Sequence, residues 1–374
     1  MVLLLSSVTA AAQADQGTGS WSGYLEPRAR YYWDRSTRVV VPTLYGHVQT
    51  PGGLEFGATG LVDVITSASI SAGLLVDRRF TEWRKEGGLY VGYEADLGEA
   101  QLKTTVSGRI SQEPDYVSRS AGAAVQLSLN ERNSVLHLAL TVLPQDEVGR
   151  VLRGFNVVSE QQRRILRGAS TLLGWDQVVS PTMVASFSYT FGYLTGFLAN
   201  RYRSVRTNDS PPVPEQHPGR RLRHNLQARL AWYHPDTQIA VHAMYRAYLD
   251  SWKLAALTPE LRVFKEVGDD LVLRWRYRYY RQSGAIFFKE NQPYSQQIDI
   301  YFSADPKMGA FSSHEAGAQI RMRLFFLEDS LFGFASRAWA DLSFDYAWRT
   351  YTVTRFDPRY GKAMIGMAGL RLPF

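Results

Sequence analysis

The chain has 374 residues and no cysteine, with 42 Lys and Arg against 35 Asp and Glu and 45% hydrophobic residues, among them 21 Tyr, 18 Phe and 9 Trp. Lacking cysteine, it can hold no disulfide, thiolate metal site or covalent c-type haem, and lacking any run of about 18 apolar residues it has no membrane-crossing helix. The net charge of +7 would point a soluble protein toward nucleic acid, but these arginines alternate with apolar residues inside strand-like runs, which suits a pore lining better than a nucleic-acid footprint.

Residues 1–14 are expected to be a signal peptide. An apolar run over 2–11 precedes Ala12-Gln13-Ala14, which satisfies the small-residue rule for cleavage, so the mature chain would begin near Asp15. The usual basic opening segment is missing, which places the expected start codon upstream. Residues 15–374 then form one domain. Runs 24–33 and 39–50 carry the aromatic cluster Tyr31-Tyr32-Trp33, suited to a membrane-water interface. After Pro51-Gly52-Gly53, Leu54, Phe56, Ala58, Val62 and Val64 share a face opposite Glu55, Thr59 and Asp63. Residues 66–72 lead to a charged stretch over 78–85, expected to be a loop.

Hairpins follow at 89–97 with 101–110, where Glu94 and Asp96 are polar-facing, and at 117–129 with 135–143. Alternation breaks over 145–162, which could carry a short helix. Runs 165–175 and 183–193 pair around Ser180-Pro181-Thr182, and 200–219, with Asn208-Asp209-Ser210-Pro211-Pro212, reads as the clearest flexible loop. Next comes the clearest hairpin. Leu222, His224, Leu226, Ala228, Leu230 and Trp232 oppose Arg221, Arg223, Asn225, Gln227 and Arg229; beyond His234-Pro235-Asp236-Thr237, Ile239, Val241, Ala243, Tyr245, Ala247 and Leu249 oppose Gln238, His242, Arg246 and Asp250. About ten residues per run is the length a tilted strand needs to cross a bilayer.

Runs 260–267 and 270–280 meet at Gly268-Asp269, and the second sets Arg274, Arg276 and Arg278 against Leu273, Trp275 and Tyr277. A run at 298–302 precedes 316–324, with Arg321 and Arg323 on its polar side, then 334–348 with Arg337, Asp341 and Asp345, and finally 363–374. The expectation is an all-β, single-domain transmembrane antiparallel barrel of about sixteen strands, within fourteen to eighteen. Closure is required because an open edge in lipid would strand backbone donors and acceptors. With short turns at one end and long loops at the other, the strand parity fails over 283–295, so either 285–291 is another strand or some short turns share the loop side.

The C-terminal Gly369-Leu370-Arg371-Leu372-Pro373-Phe374 resembles the terminal signal of outer-membrane β-barrels, which implies recognition by the barrel-assembly machinery through Leu370, Leu372 and Phe374. Three further stretches are similar to a bacterial family of predicted outer-membrane proteins known as domain of unknown function 3570: Val62-Asp63-Val64-Ile65-Thr66-Ser67-Ala68-Ser69, then Arg278-Tyr279-Tyr280-Arg281-Gln282 followed by Ala285 and Phe287, and Ser303-Ala304-Asp305-Pro306-Lys307-Met308-Gly309-Ala310-Phe311. Thr66 departs from the expected Ser. The resemblance implies location in the outer membrane of a Gram-negative bacterium and a barrel fold, and carries no established activity.

The sharpest functional signal is the arginine set. Arg221, Arg223, Arg229, Arg246, Arg274, Arg276, Arg278, Arg321, Arg323 and Arg337 are expected to line a lumen if the apolar faces meet lipid, and such arrays concentrate anions. The competing reading is that they pair with acids to brace the sheet. An enzyme would need a nucleophile beside His224, with Ser186 and Ser188 the nearest thought, but there is no Gly-x-Ser-x-Gly elbow. Metal support is thin: His217 and His224 lack ligand spacing, and Asn208, Asp209 and Glu215 are at most a weak calcium loop. The sequence therefore predicts no enzyme, cofactor or metal. It predicts a porin-like channel for small, preferentially anionic solutes, embedded in outer-membrane lipid. The first alternative is a closed structural or assembly barrel binding protein partners through its loops, and the second a lipid hydrolase.

Overall fold

The computed structural model describes residues 21–374 apart from 36, 69–78, 150, 154–155, 160–162, 201–202, 209–210, 291–292, 328–336 and 353–359. The expected signal segment, residues 1–14, lies outside the described residues. Sixteen strands form a closed antiparallel ring. The first seven are β1 (Ser22–Asp34), β2 (Thr37–Gln49), β3 (Leu54–Ala68), β4 (Arg79–Asp96), β5 (Ala100–Gln112), β6 (Tyr116–Leu129) and β7 (Ser134–Val148). The short β8 (Val151–Arg153) and β9 (Asn156–Ser159) pair with each other outside the ring. The ring resumes with β10 (Arg164–Ser180) and β11 (Met183–Gly196), and β12 (Ser204–Val205) and β13 (Val213–Pro214) again stand apart. It ends with β14 (Arg220–His234), β15 (Ile239–Asp250), β16 (Ala255–Val267), β17 (Leu271–Gln282), β18 (Phe311–Arg323), β19 (Trp339–Tyr351) and β20 (Tyr360–Pro373). Each is an antiparallel neighbour of the next, and β20 returns to β1.

Closure is tight at the seam. Gly23 and Phe374 exchange both backbone N–H···O bonds at 2.9 Å, and Leu25 faces Leu372 in register. No edge remains to be stranded in lipid. The alternation read from the sequence sorts the two faces as the pleat requires. Leu226, Leu230, Trp232, Leu261, Trp275 and Ile320 are exposed on the outside, while Glu55, Asp63, Arg221, Asp250, Glu315 and Asp345 are buried on the inside. On β4 the exposed Trp83 and Tyr93 bracket the outward face. Ten residues at about 3.3 Å each, tilted by roughly 40°, span about 25 Å, the height of a lipid-facing apolar band.

Several boundaries differ from expectation. The described part of the charged stretch 78–85, residues 79–85, is the start of β4, because Glu82, Arg84 and Glu86 face inward beside Asp63 and can be charged without touching lipid. Among the described residues of 145–162 there are the end of β7 and the pair β8–β9 in place of the expected short helix. The run 298–302 is no barrel strand, since Phe302 makes only an isolated bridge with Gln216. Among the described residues, 283–310 contribute no barrel strand between β17 and β18 and form one long connection, which resolves the parity. The start of β1, Phe374 and the turns at 50–53, 97–99, 130–133, 181–182, 235–238 and 268–270 lie at one end of the ring, with the described residues of the loops at 197–219 and 283–310 at the other.

Candidate functional site

The inward wall is electrically two-sided. On the side of β3 to β7, Asp63 bonds Arg84 at 2.5 Å, Glu55 bonds Lys103 at 2.6 Å, and Glu86 faces Arg109 at 3.3 Å. Glu82 adds a further inward carboxylate on β4 by register with Ile65. Of the other acids singled out in the sequence, Glu94 pairs with Arg132 at 3.5 Å, and Asp96 accepts from Gly98 N at 2.9 Å in the turn. The arginines crowd β14 to β18. In the ring β4 stands fourth and β16 twelfth of sixteen, so the two walls face each other across the lumen. A barrel of this strand number is wide enough for water unless loops fill it.

The ten sequence-predicted arginines fall into three groups. Five are ion-paired. Arg221 holds the buried Asp250 at 2.5 Å, Arg321 holds Asp341 at 2.8 Å, Arg323 stands 3.6 Å from Asp270, and Arg276 and Arg278 both clasp Glu315, with Asp345 also 3.0 Å from Arg276. Gly317 makes this last cluster possible, because a Cβ there would overlap the Asp345 carboxylate. Four more, Arg223, Arg229, Arg246 and Arg274, share the inward face, and none has a carboxylate within 4 Å among the described residues. Arg229 donates to Ser186 Oγ at 3.1 Å, and the Nε atoms of Arg223 and Arg274 are buried with no acceptor. Arg337 is the correction: it sits exposed in the turn before β19, because that strand begins at Trp339 and not at 334.

Sequence reasoning missed Asp250, Glu315, Glu260 and Arg262 as partners. All lie on inward faces already legible from alternation, but which acid meets which arginine depends on strand register. It also mistook the loops. The described residues of 197–219 and 283–310 fold together over the rim of β14 to β17 around two small cores, one of Trp252, Ala285 and Phe288 and one of Val205, Tyr294 and Phe302. Glu215 is buried there, accepting from Ser303 Oγ at 2.8 Å and Ala304 N at 2.6 Å. It is thus unavailable to a solvated calcium loop; of the other two expected ligands, Asn208 donates its backbone N–H to Tyr294 O at 2.9 Å and Asp209 lies outside the described residues. His217, 3.6 Å from Glu215, packs edge-on to Trp252, and burial lowers its pKa. The aromatic residues at 287, 288, 294 and 302, unexplained by alternation, were the available signal.

Two of the three similarity motifs, those at 278–287 and 303–311, meet at this cap, while the described part of the first lies on β3. Gln282 donates to the carbonyls of Lys307 and Gly309 at 2.8 and 2.7 Å, and Asp305 accepts from Lys307 N at 3.0 Å. They anchor a 3₁₀ turn, Pro306–Met308, where the long loop rejoins the wall. His224 faces outward and bonds Tyr189 Oη at 2.7 Å, whereas Ser186 and Ser188 face inward with their register partners Arg229 and Gln227. The wall separates base from hydroxyl, so these residues form no catalytic pair.

At the opposite, acidic side, Glu113 in the β5–β6 turn is pushed up to about 7, first by burial and then by Asp115, Glu82 and Asp63, against the pull of Arg84. A carboxyl raised in the fold binds more protons there than in the unfolded chain between its ordinary 4.5 and about 7, so stability falls as pH rises through that window. At about 1.4 kcal/mol per unit, and with partial solvent access, the expected loss is roughly 2 kcal/mol. Thermal unfolding in detergent across pH 4.5 to 7.5 should show that decline, and Glu113→Gln should flatten it.

The closed ring, apolar outer face, aromatic bracket and charged inner wall define a transmembrane antiparallel β-barrel. Residues 6–335 match the family described as protein of unknown function (DUF3570), and the chain belongs to that family. No curated protein matches the sequence. Among solved structures, it is similar to the siderophore receptor PirA from Pseudomonas aeruginosa (TM-score 0.46, 9% identity, 94% of this chain and 61% of that one), to CdiB from Acinetobacter baumannii (0.49, 8%, 94% and 60%) and to the outer membrane protein OprD from Pseudomonas aeruginosa (0.44, 7%, 96% and 97%). The chain thus spans about three-fifths of the length of the first two. At these identities the likeness is one of barrel form alone, and the fold rests on the strand pairing of this chain.

Proposed function

We propose that the protein is a porin-like channel of the outer membrane of a Gram-negative bacterium, passing small solutes with a preference for anions. The observation that carries this reading is the set of four inward arginines, Arg223, Arg229, Arg246 and Arg274, none of which has a carboxylate within 4 Å among the described residues. They face an acidic wall, so a solute in transit meets a transverse field and anions collect on one side of it. Delivery to the membrane through the signal segment, and recognition of Leu370, Leu372 and Phe374 by the barrel-assembly machinery, belong to the same reading.

The test is the reversal potential of the refolded protein in a planar bilayer under a salt gradient, compared with Arg223→Gln/Arg246→Gln/Arg274→Gln. These three have no carboxylate to strand, unlike Arg276 and Arg278, so the variant should fold. A unit charge about 7 Å from an ion in water is worth about 0.6 kcal/mol, of opposite sign for anion and cation, so losing three should lower the anion-to-cation permeability ratio about tenfold after screening by salt. Folded protein without conductance would overturn the channel reading. The folded loop cap and the braced arginines favour a second one in that event, a barrel closed at its lumen that binds protein partners through its loops.

A further inference from the structure

The outside of the barrel carries a groove of about 820 Å³ that crosses β2 to β6. Two register rows make it. In the upper row Leu44, Gly60, Gly87, Ile110 and Arg119 are neighbours across successive strands. In the lower row Gly46, Ala58, Leu89 and Gly108 follow the same order. The floor is glycine where the fold does not ask for glycine. Gly60, Gly87 and Gly108 all lack positive φ, and a Cβ at Gly60 or Gly108 would meet nothing within 4 Å. Glycine weakens a strand and otherwise marks close approach of something to the backbone. Leu44, Leu89 and Ile110 stand as exposed walls beside it.

Charge sits at one end of this apolar trough. Lys85, two residues along β4 from Gly87 and in register with Val62, faces outward, is exposed and has no ion-pair partner among the described residues. Arg119 also faces outward beside Ile110, and it shares the single carboxylate of Glu147 with Arg163, each at 3.3 Å. Both cations lie on the side of the long loops, near Trp83, where a lipid-facing lysine is tolerated because headgroups are within reach. An apolar trough with an excess of positive charge at its headgroup end complements an amphiphile with acyl chains and an anionic head.

We propose that this groove binds an anionic, phosphate-bearing lipid, its acyl chain over the glycine floor and its phosphate between Lys85 and Arg119. The proposal holds whether or not the lumen conducts.

Native mass spectrometry of the refolded, delipidated protein, offered phosphatidylglycerol or phosphatidylcholine, tests it. The expected result is one retained phosphatidylglycerol per barrel, bound at least tenfold more tightly than phosphatidylcholine. Gly60→Leu/Gly87→Leu, which fills the floor, should abolish retention, and Lys85→Gln should remove the headgroup preference while leaving some retention. Heat-modifiable migration on gels reports folding of each variant, and Lys85→Gln, a surface change, keeps the test available if the double variant does not fold. Equal retention of both lipids by wild type and Lys85→Gln would overturn the proposal in favour of unspecific annular lipid. A wild-type dimer that Gly60→Leu/Gly87→Leu makes monomeric would overturn it in favour of a second copy of the chain.

Discussion

Asp250→Ala is expected to destabilise the barrel by about 3–5 kcal/mol, the cost of leaving a buried charge unpaired. The Asp250 side chain has no solvent exposure. Its Oδ2 accepts from Arg221 Nε at 2.8 Å and Nη2 at 2.5 Å and from Tyr248 Oη at 2.9 Å, and its Oδ1 accepts from the backbone N–H groups of Trp252 at 2.9 Å and Leu254 at 3.1 Å. One carboxylate therefore ties together the strand end, the β15–β16 turn and the arginine on which Trp252 stacks at 4.0 Å. Alanine would strand the guanidinium and two amides at once. Asn keeps one acceptor for the turn but turns an N–H group toward Arg221, so Asp250→Asn should cost less, about 2 kcal/mol. Urea unfolding from lipid vesicles gives both values. Because Trp252 is also part of the core under the loop cap, proteolysis of 197–219 should quicken in Asp250→Ala. Equal stability of wild type and Asp250→Ala would mean that the cluster braces nothing.

Glu315→Gln should act on stability and selectivity together. Glu315 is almost fully buried and divides its two oxygens between Arg276 and Arg278. An amide keeps one acceptor and aims a donor at the other guanidinium, a loss of about 2–3 kcal/mol for a charge-assisted bond in a buried site. The removed charge also leaves the basic wall more positive by one unit. At the same 0.6 kcal/mol for a charge about 7 Å from the ion path, the anion-to-cation permeability ratio should rise about twofold to threefold, opposite in direction to the effect of losing Arg223, Arg246 and Arg274. Paired measurement in one bilayer set-up separates the outcomes. A shift toward cations, or none in folded protein, would place Glu315 and its arginines away from the ion path.

Period-2 alternation was enough to read the wall. Runs such as Leu222 to Trp232 and Leu271 to Tyr279 disclosed the strands, their inside and outside faces and the inward set of nine of the ten arginines, because a strand facing lipid on one side and polar groups on the other has only one arrangement that satisfies both. Closure, too, follows from a physical demand on sheet edges and needs no contact information. Alternation failed where charge density or loop aromatics hid it: near the start of β4 the inward Glu82, Arg84 and Glu86 made a strand look like a loop, and within 283–310, rich in aromatics, the run 298–302 imitates a strand.

What only the tertiary structure decided was pairing. Whether an arginine is neutralised depends on which strand lies beside it and in what register, so Arg276, bound to Glu315 and Asp345, and Arg274, bound to neither, look alike in the chain. The same is true of the cap, where Glu215 meets Ser303 from a distant loop, and of the outer groove, where Gly60 and Gly87 become neighbours only through register. Local alternation reports which face a residue takes; long-range register reports whom it meets, and charge balance, burial of loops and surface shape all follow from the second.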